Sequence, residues 1–93
     1  MTDVTEVIET KYFTKQLEKV PATIKLKVFQ WIFAVSEKGI AEVSKSKGYH
    51  DEPLKGVRLG QRSVRINRSY RLIYREIESR IIIELLEIHK HDY

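Results

Sequence analysis

The sequence predicts an α+β fold with an N-terminal strand, two helices and then a three-stranded antiparallel meander, forming one twisted sheet. Three observations support this prediction. A short β-favouring run opens the chain, two stretches with apolar residues at helical spacing follow, and the last third alternates with the two-residue period of strands. The length of 93 residues limits the chain to one domain, residues 1–93.

The first strand and the first helix are predicted from residues 6–20. Residues 6–10 are rich in side chains that favour extended backbone. Phe13, Leu17 and Val20 then recur at the spacing of one helix face. We expect Thr14 to cap the start of this helix, because its hydroxyl can accept a hydrogen bond from a free backbone N–H.

The second helix is predicted to begin after Pro21, a residue suited to the first helical turn, and to end at Gly39. One apolar face of this helix consists of Ile24, Val28, Trp31 and Val35. A second apolar face consists of Leu26, Phe29 and Phe33. In so small a domain, we expect one face to be buried and part of the other to be covered by a protein partner.

The remainder of the chain predicts a loop and then strands. Residues 41–60 are polar and broken by glycine and proline, which indicates the end of a helix and a loop. Residues 63–67 and 70–75 alternate between apolar and polar side chains and flank a turn at 67–69. Residues 81–88 are strongly apolar, so we expect a central strand covered on both faces.

An amphipathic helix is the competing interpretation of the arginine-rich segment, because Arg62, Arg65, Arg68 and Arg71 are three residues apart. The β-favouring neighbours and the turn at 67–69 argue for strands instead.

Basic charge is concentrated in one part of the chain. The formal net charge is +4 and the pI is near 9.4. All arginines lie between Arg58 and Arg80, and residues 55–75 contain no acidic residue. Arginine is favoured where a planar fork must meet a phosphate, so this segment indicates a polyanionic partner. A solvated basic surface is the alternative. The candidate RNA-binding residues are Arg58, Arg62, Arg65, Arg68 and Arg75.

Composition also excludes several classes of site. Cysteine is absent, which rules out disulfides, a zinc ribbon, an iron–sulfur cluster and a thiol nucleophile, and it fits a reducing cytoplasm. Asp3 and Glu6 interrupt any signal peptide, and the most apolar stretch, residues 28–35, is too short to span a membrane. We expect no membrane association, no cofactor and a cytoplasmic protein.

Titratable groups cluster in two further places. The C-terminal residues 89–93 read His-Lys-His-Asp-Tyr. They could form a His-x-His metal site, a polar tail, or acid–base groups beside the arginines. In the loop 50–56, Pro53 and Gly56 are expected to hold Glu52 and Lys55 in place, whereas His50 and Asp51 could simply be solvated.

Four motifs in order resemble the RelE/ParE superfamily of bacterial toxins. They are residues 52–56 (Glu-Pro-Leu-Lys-Gly), 60–67 (Gly-Gln-Arg-Ser-Val-Arg-Ile-Asn), 70–74 (Tyr-Arg-Leu-Ile-Tyr) and a terminal acid and tyrosine. The pattern is most similar to the HigB and YoeB groups of ribosome-dependent messenger RNA interferases. The resemblance covers the element order of the whole chain, although the N-terminal helices match only in pattern. It implies a twisted antiparallel sheet with two helices on one side.

The resemblance also implies roles for individual residues. Arg71 matches an arginine that stabilises the phosphorane transition state. Glu52 stands where YoeB-like toxins have a glutamate base. Lys55 matches the lysine of the Pro-Leu-Lys-Gly motif, and Arg65 a basic position on the second strand. Asp92 and Tyr93 are similar to the terminal pair of HigB.

The implied reaction is metal-independent cleavage of translated messenger RNA, in which the ribose 2′-hydroxyl attacks the phosphate and leaves a 2′,3′-cyclic phosphate. Glu52 is the expected base, while Arg71, Arg65 and Lys55 would meet the growing negative charge. The general acid stays open between His91 and Asp92, because basic neighbours lower the pKa of Asp92. Tyr93 would stack on a base or orient it.

The implied partners are an inhibitory antitoxin protein, the A site of the 30S ribosomal subunit and messenger RNA. A ParE-like toxin that poisons DNA gyrase and a non-catalytic nucleic-acid-binding module are the alternative functions.

Overall fold

The computed structural model describes residues 5–78 and 82–90 and has an α+β fold, as predicted. The chain forms β1 (Glu6–Glu9), α1 (Lys11–Lys19), α2 (Ala22–Lys38), α3 (Ile40–Val43), β2 (Glu52–Pro53), β3 (Gln61–Arg65), β4 (Tyr70–Ile77) and β5 (Ile82–Lys90). Two 3-10 turns, Lys47–Tyr49 and Gly56–Arg58, lie on either side of β2.

The strands form one five-stranded sheet in the order β1-β5-β4-β3-β2. The strands β3, β4 and β5 pair antiparallel, which confirms the predicted meander and excludes the helical interpretation of the arginine-rich segment. β1 pairs in parallel with β5. β2 lies within the predicted loop 41–60 and adds an edge strand. Sequence reasoning missed it because two residues are too short to show a period.

The hydrophobic core lies between the helices and one face of this sheet. The predicted face of α2, from Ile24 to Val35, is buried, and Trp31 is fully enclosed. The Trp31 ring lies 5.4 Å from the ring of Tyr74, measured between centroids, in a tilted arrangement. Gly39 ends α2 with a φ of +85°, a left-handed conformation that costs glycine least.

The second apolar face of α2 remains exposed. Leu26, Phe29 and Phe33 have 58%, 50% and 68% of their surface accessible. Three large apolar side chains on one helix face form a patch of the kind found at protein interfaces. No helix among the described residues combines the length and apolar character needed to cross a bilayer.

Two predictions about individual elements were wrong. α1 is capped by Thr10, whose hydroxyl oxygen accepts from the Phe13 N–H at 3.2 Å, while the Thr14 hydroxyl donates to Glu9. The helix begins two residues before Phe13, its first buried residue, so a prediction based on the apolar residues placed the cap too late. β5 is central but is not covered on both faces, because Glu84 and Glu87 lie half-buried on the side away from the helices.

Candidate nucleic-acid interface

The candidate site lies on the face of the sheet that points away from the helices, here called the outer face. Directly paired residues share a face and alternate residues along a strand return to it. From the strand registers, its residues include Glu6, Glu52, Gln61, Ser63, Arg65, Arg71, Ile73, Arg75, Glu84, Glu87 and His89. Ser63 and Ile73 are nearly buried and form its floor. The outer face therefore gathers charged residues from all five strands.

Glu52 belongs to this face because β2 pairs it with Ser63. Arg65 is two residues farther along β3, and Arg71 lies opposite Arg65 on β4. Strand spacing and rise place the Cα of Glu52 about 8 Å from that of Arg65 and about 12 Å from that of Arg71. Both arginine side chains are long enough to meet a ligand held beside the Glu52 carboxylate. The structure thus brings the predicted base and two of the three predicted cations, Arg65 and Arg71, onto one surface.

Arg71, one of the paired arginines, is anchored by the β3–β4 turn. The side-chain oxygen of Asn67 accepts from the N–H groups of Ser69 and Tyr70, both at 2.8 Å. Arg71 donates from Nη1 to the Asn67 carbonyl at 3.2 Å and stands opposite His89 on β5. Arg65 and Arg71 therefore present two guanidinium groups from directly opposed positions of β3 and β4.

The outer face also holds carboxylates, which β5 supplies, beside the arginines of the acid-free segment 55–75. Arg58 forms an ion pair with Glu87 at 2.5 Å, and Arg75 pairs with Glu84 at 2.6 Å. His89 lies 3.7 Å from Glu87. Sequence reasoning missed these acids because β5, distant in the sequence, supplies them. Arg58 and Arg75 are consequently less available to a phosphate than the acid-free arginine segment of the sequence suggested.

Arg62 lies on the sheet face that points toward the helices. Sequence reasoning did not predict that it forms part of a buried hydrogen-bond network there. The Asp51 carboxylate, whose side chain has no accessible surface, accepts from Arg62 Nε and from the Tyr74 hydroxyl, each at 2.6 Å. Asp51 is therefore not solvated. Burial lowers the pKa of Arg62, but the hydrogen bond and charge of Asp51 outweigh it and raise that pKa overall. Burial and then Asp51 raise the pKa of Tyr74 well above its usual range.

The other predicted residues lie at the edges of the site or beyond the described chain. Lys55 is exposed between β2 and the following 3-10 turn, and Arg68 is exposed in the β3–β4 turn. His91, Asp92 and Tyr93 lie outside the described residues. Among the described residues, no group of three His, Cys, Asp or Glu side chains is arranged to hold a metal ion.

Comparison with solved structures identifies the fold. No protein-family model matches the chain, and no curated protein matches it. The YoeB/ParE toxin from Agrobacterium tumefaciens superposes with a TM-score of 0.74 at 22% identity, over 95% of this chain and 100% of that one. This chain has the fold of the RelE and YoeB toxins.

Two further structures share this fold and contain a second protein. The archaeal RelE–RelB complex from Pyrococcus horikoshii matches with a TM-score of 0.73 at 19% identity, over 94% of each chain. The YoeB–YefM complex from Staphylococcus aureus matches with a TM-score of 0.70 at 17% identity, over 96% of this chain and 98% of that one.

Proposed function

We propose that this protein is the toxin of a type II toxin–antitoxin system and cleaves translated messenger RNA on the ribosome. The observation that carries the proposal is the presence of Glu52, Arg65 and Arg71 on one sheet face. A carboxylate that accepts a proton and two cations that meet developing negative charge are what RNA cleavage without a metal needs. The RelE and YoeB toxin fold supports the same function.

In the proposed reaction, Glu52 takes the proton of a ribose 2′-hydroxyl, and the resulting oxyanion attacks the adjacent phosphorus. Arg71 and Arg65 stabilise the extra negative charge on the phosphoryl oxygens, with Lys55 at the rim. The 5′-oxygen leaves with a proton from the C-terminal group His91 or Asp92, with Tyr93 positioning the base. The products are a 2′,3′-cyclic phosphate and a 5′-hydroxyl.

We infer that an antitoxin covers the exposed face of α2 formed by Leu26, Phe29 and Phe33. This face is apolar, accessible and outside the proposed catalytic surface. Two proteins of the same fold have been solved as toxin–antitoxin complexes. The proposed site of action is the A site of the 30S ribosomal subunit, in the cytoplasm, and the outer face, with Arg65 and Arg71, would lie against the message.

The test is cleavage of a defined message on programmed ribosomes. We expect Glu52→Gln to slow cleavage at least about 100-fold, as loss of a general base does, and Arg71→Ala to slow it by about 100- to 1000-fold. Glu37→Gln, an exposed carboxylate on α2, is the matched control and should cleave normally. Normal cleavage by both site variants would overturn the assignment. Broken chromosomal DNA with intact message would indicate the ParE-like alternative.

A further inference from the structure

A cavity of about 300 Å³ opens where α2, the 3-10 turn Lys47–Tyr49 and the end of β3 meet, and is here called the α2–β3 hollow. Its polar lining comes from Lys27, Gln30, Ser46, Gly48, Tyr49 and Arg65. Its volume lies at the lower end of the range for small-ligand sites, which suits one nucleotide. Arg65 belongs to both the hollow and the outer face, so the two surfaces are continuous.

The described lining of the hollow is positively charged. Of the residues that the structure describes, no acidic one lines it, whereas Lys27 and Arg65 do. Within residues 5–78 and 82–90, neither of these cations forms an ion pair, in contrast to Arg58, Arg62 and Arg75. The side chains of Gln30 and Ser46 also make no hydrogen bond in this part of the chain. A set of donors that the fold does not use is available to an anionic ligand.

The remaining lining residues suit a base and a sugar. Tyr49 is half-buried and packs against the hydrophobic core, which holds its ring in place for stacking. Gly48 has no heavy atom within 4 Å of the position a Cβ would take, so a ligand can approach its backbone closely. Gln30 and Ser46 offer both donors and acceptors for a base edge or a ribose hydroxyl.

We propose that the α2–β3 hollow binds one nucleotide of a single-stranded RNA whose neighbouring phosphate lies on the outer face. Lys27 contacts the phosphate of this nucleotide, Tyr49 stacks on its base, and Gln30 and Ser46 contact the base edge or the ribose. Arg65, which lines both surfaces, contacts the neighbouring phosphate on the outer face. The proposal rests on the proposed function for its choice of RNA as ligand. It adds a subsite away from the cleaved bond, where the protein would sense base identity.

Binding of an RNA that cannot be cleaved tests this subsite without requiring catalysis. The probe is a fluorescent single-stranded hexanucleotide with 2′-O-methyl riboses, titrated by anisotropy. We expect Lys27→Ala to raise Kd about five- to tenfold at low salt and to reduce the salt dependence by the equivalent of one phosphate contact. Gln30→Ala should alter the preference among hexanucleotides of different bases. Lys25→Ala, on the same helix but outside the hollow, should bind within about twofold of wild type.

The outcomes separate the sources of the ligand. If Lys27→Ala binds the hexanucleotide as tightly as Lys25→Ala does, the proposal is wrong. If a free nucleoside monophosphate binds as tightly as the hexanucleotide and binds more weakly to Lys27→Ala, the ligand of the hollow is a free nucleotide. That result would overturn the proposal that the ligand is part of an RNA strand. If wild type cleaves message while Glu52→Gln does not, and Lys27→Ala binds normally, only the subsite fails. If wild type never cleaves but Lys27→Ala weakens binding, the proposed function fails and the subsite stands.

Discussion

Removing the Asp51 carboxylate should destabilise the protein more than any other single polar substitution near the site. Asp51 has no accessible side-chain surface and accepts two hydrogen bonds of 2.6 Å, from Arg62 and Tyr74. Asp51→Ala leaves the buried Tyr74 hydroxyl unpaired and the Arg62 charge without its partner. Breaking a buried ion pair costs about 3–5 kcal/mol. Since Arg62 keeps 32% exposure and some hydration, we expect about 2–4 kcal/mol.

The assay is urea unfolding followed by the fluorescence of the single tryptophan, Trp31, which lies against Tyr74. A loss of about 3 kcal/mol corresponds to a melting temperature roughly 12–24 °C lower for a domain of this size. Tyr74→Phe, which removes one hydrogen bond to a charged group, should cost about 1.5–3 kcal/mol. In the double variant with Asp51→Ala, the two costs should fall short of adding by at least about 1 kcal/mol. Additive costs, or an Asp51→Ala loss below about 0.5 kcal/mol, would refute the network.

Three further predictions follow from particular contacts. The raised pKa of Tyr74 means that the unfolded chain loses this proton near pH 10 while the folded chain keeps it. The free energy of unfolding should therefore fall above pH 10 by up to about 1.4 kcal/mol per pH unit, and Tyr74→Phe should remove this part of the pH dependence. If the free energies of unfolding of wild type and Tyr74→Phe fell in parallel above pH 10, the raised pKa would be contradicted. Thr10→Ala should cost about 1–2 kcal/mol in urea unfolding because it removes the α1 cap, whereas Thr14→Ala should cost clearly less; equal losses would contradict the capping assignment. Phe33→Ser should leave the melting temperature within a few degrees and abolish binding of the cognate antitoxin, as measured by calorimetry; full retention of binding would place the antitoxin elsewhere.

The larger elements could be predicted because their side chains repeat with a regular period. The buried face of α2 and the alternation of β3 and β4 each extend over enough residues to distinguish helix from strand. The placement of Arg65 and Arg71 on one face follows from that alternation alone and is confirmed by their pairing.

The rest depended on contacts between distant parts of the chain. Glu87 neutralises Arg58 across the sheet, and Asp51 is buried by Arg62 and Tyr74, so local sequence predicts neither. An irregularity between β4 and β5 at Ile73/Tyr74 also hides the alternation of β5, whose buried residues follow at unequal intervals. Its apolar composition therefore suggested coverage on two faces, although one face carries carboxylates.

The chemistry of the cut ends tests the central claim most directly. Message would be cleaved on ribosomes by the wild-type protein. The masses of the 3′-terminal fragment of the upstream product and of the 5′-terminal fragment of the downstream product would then be measured by mass spectrometry. The account predicts a 2′,3′-cyclic phosphate at the upstream product's 3′ end, a 5′-hydroxyl downstream, and at least about 100-fold slower formation of both with Glu52→Gln. A 3′-hydroxyl with a 5′-phosphate, or the same ends at the same rate from Glu52→Gln, would contradict attack by the ribose 2′-hydroxyl under the control of Glu52.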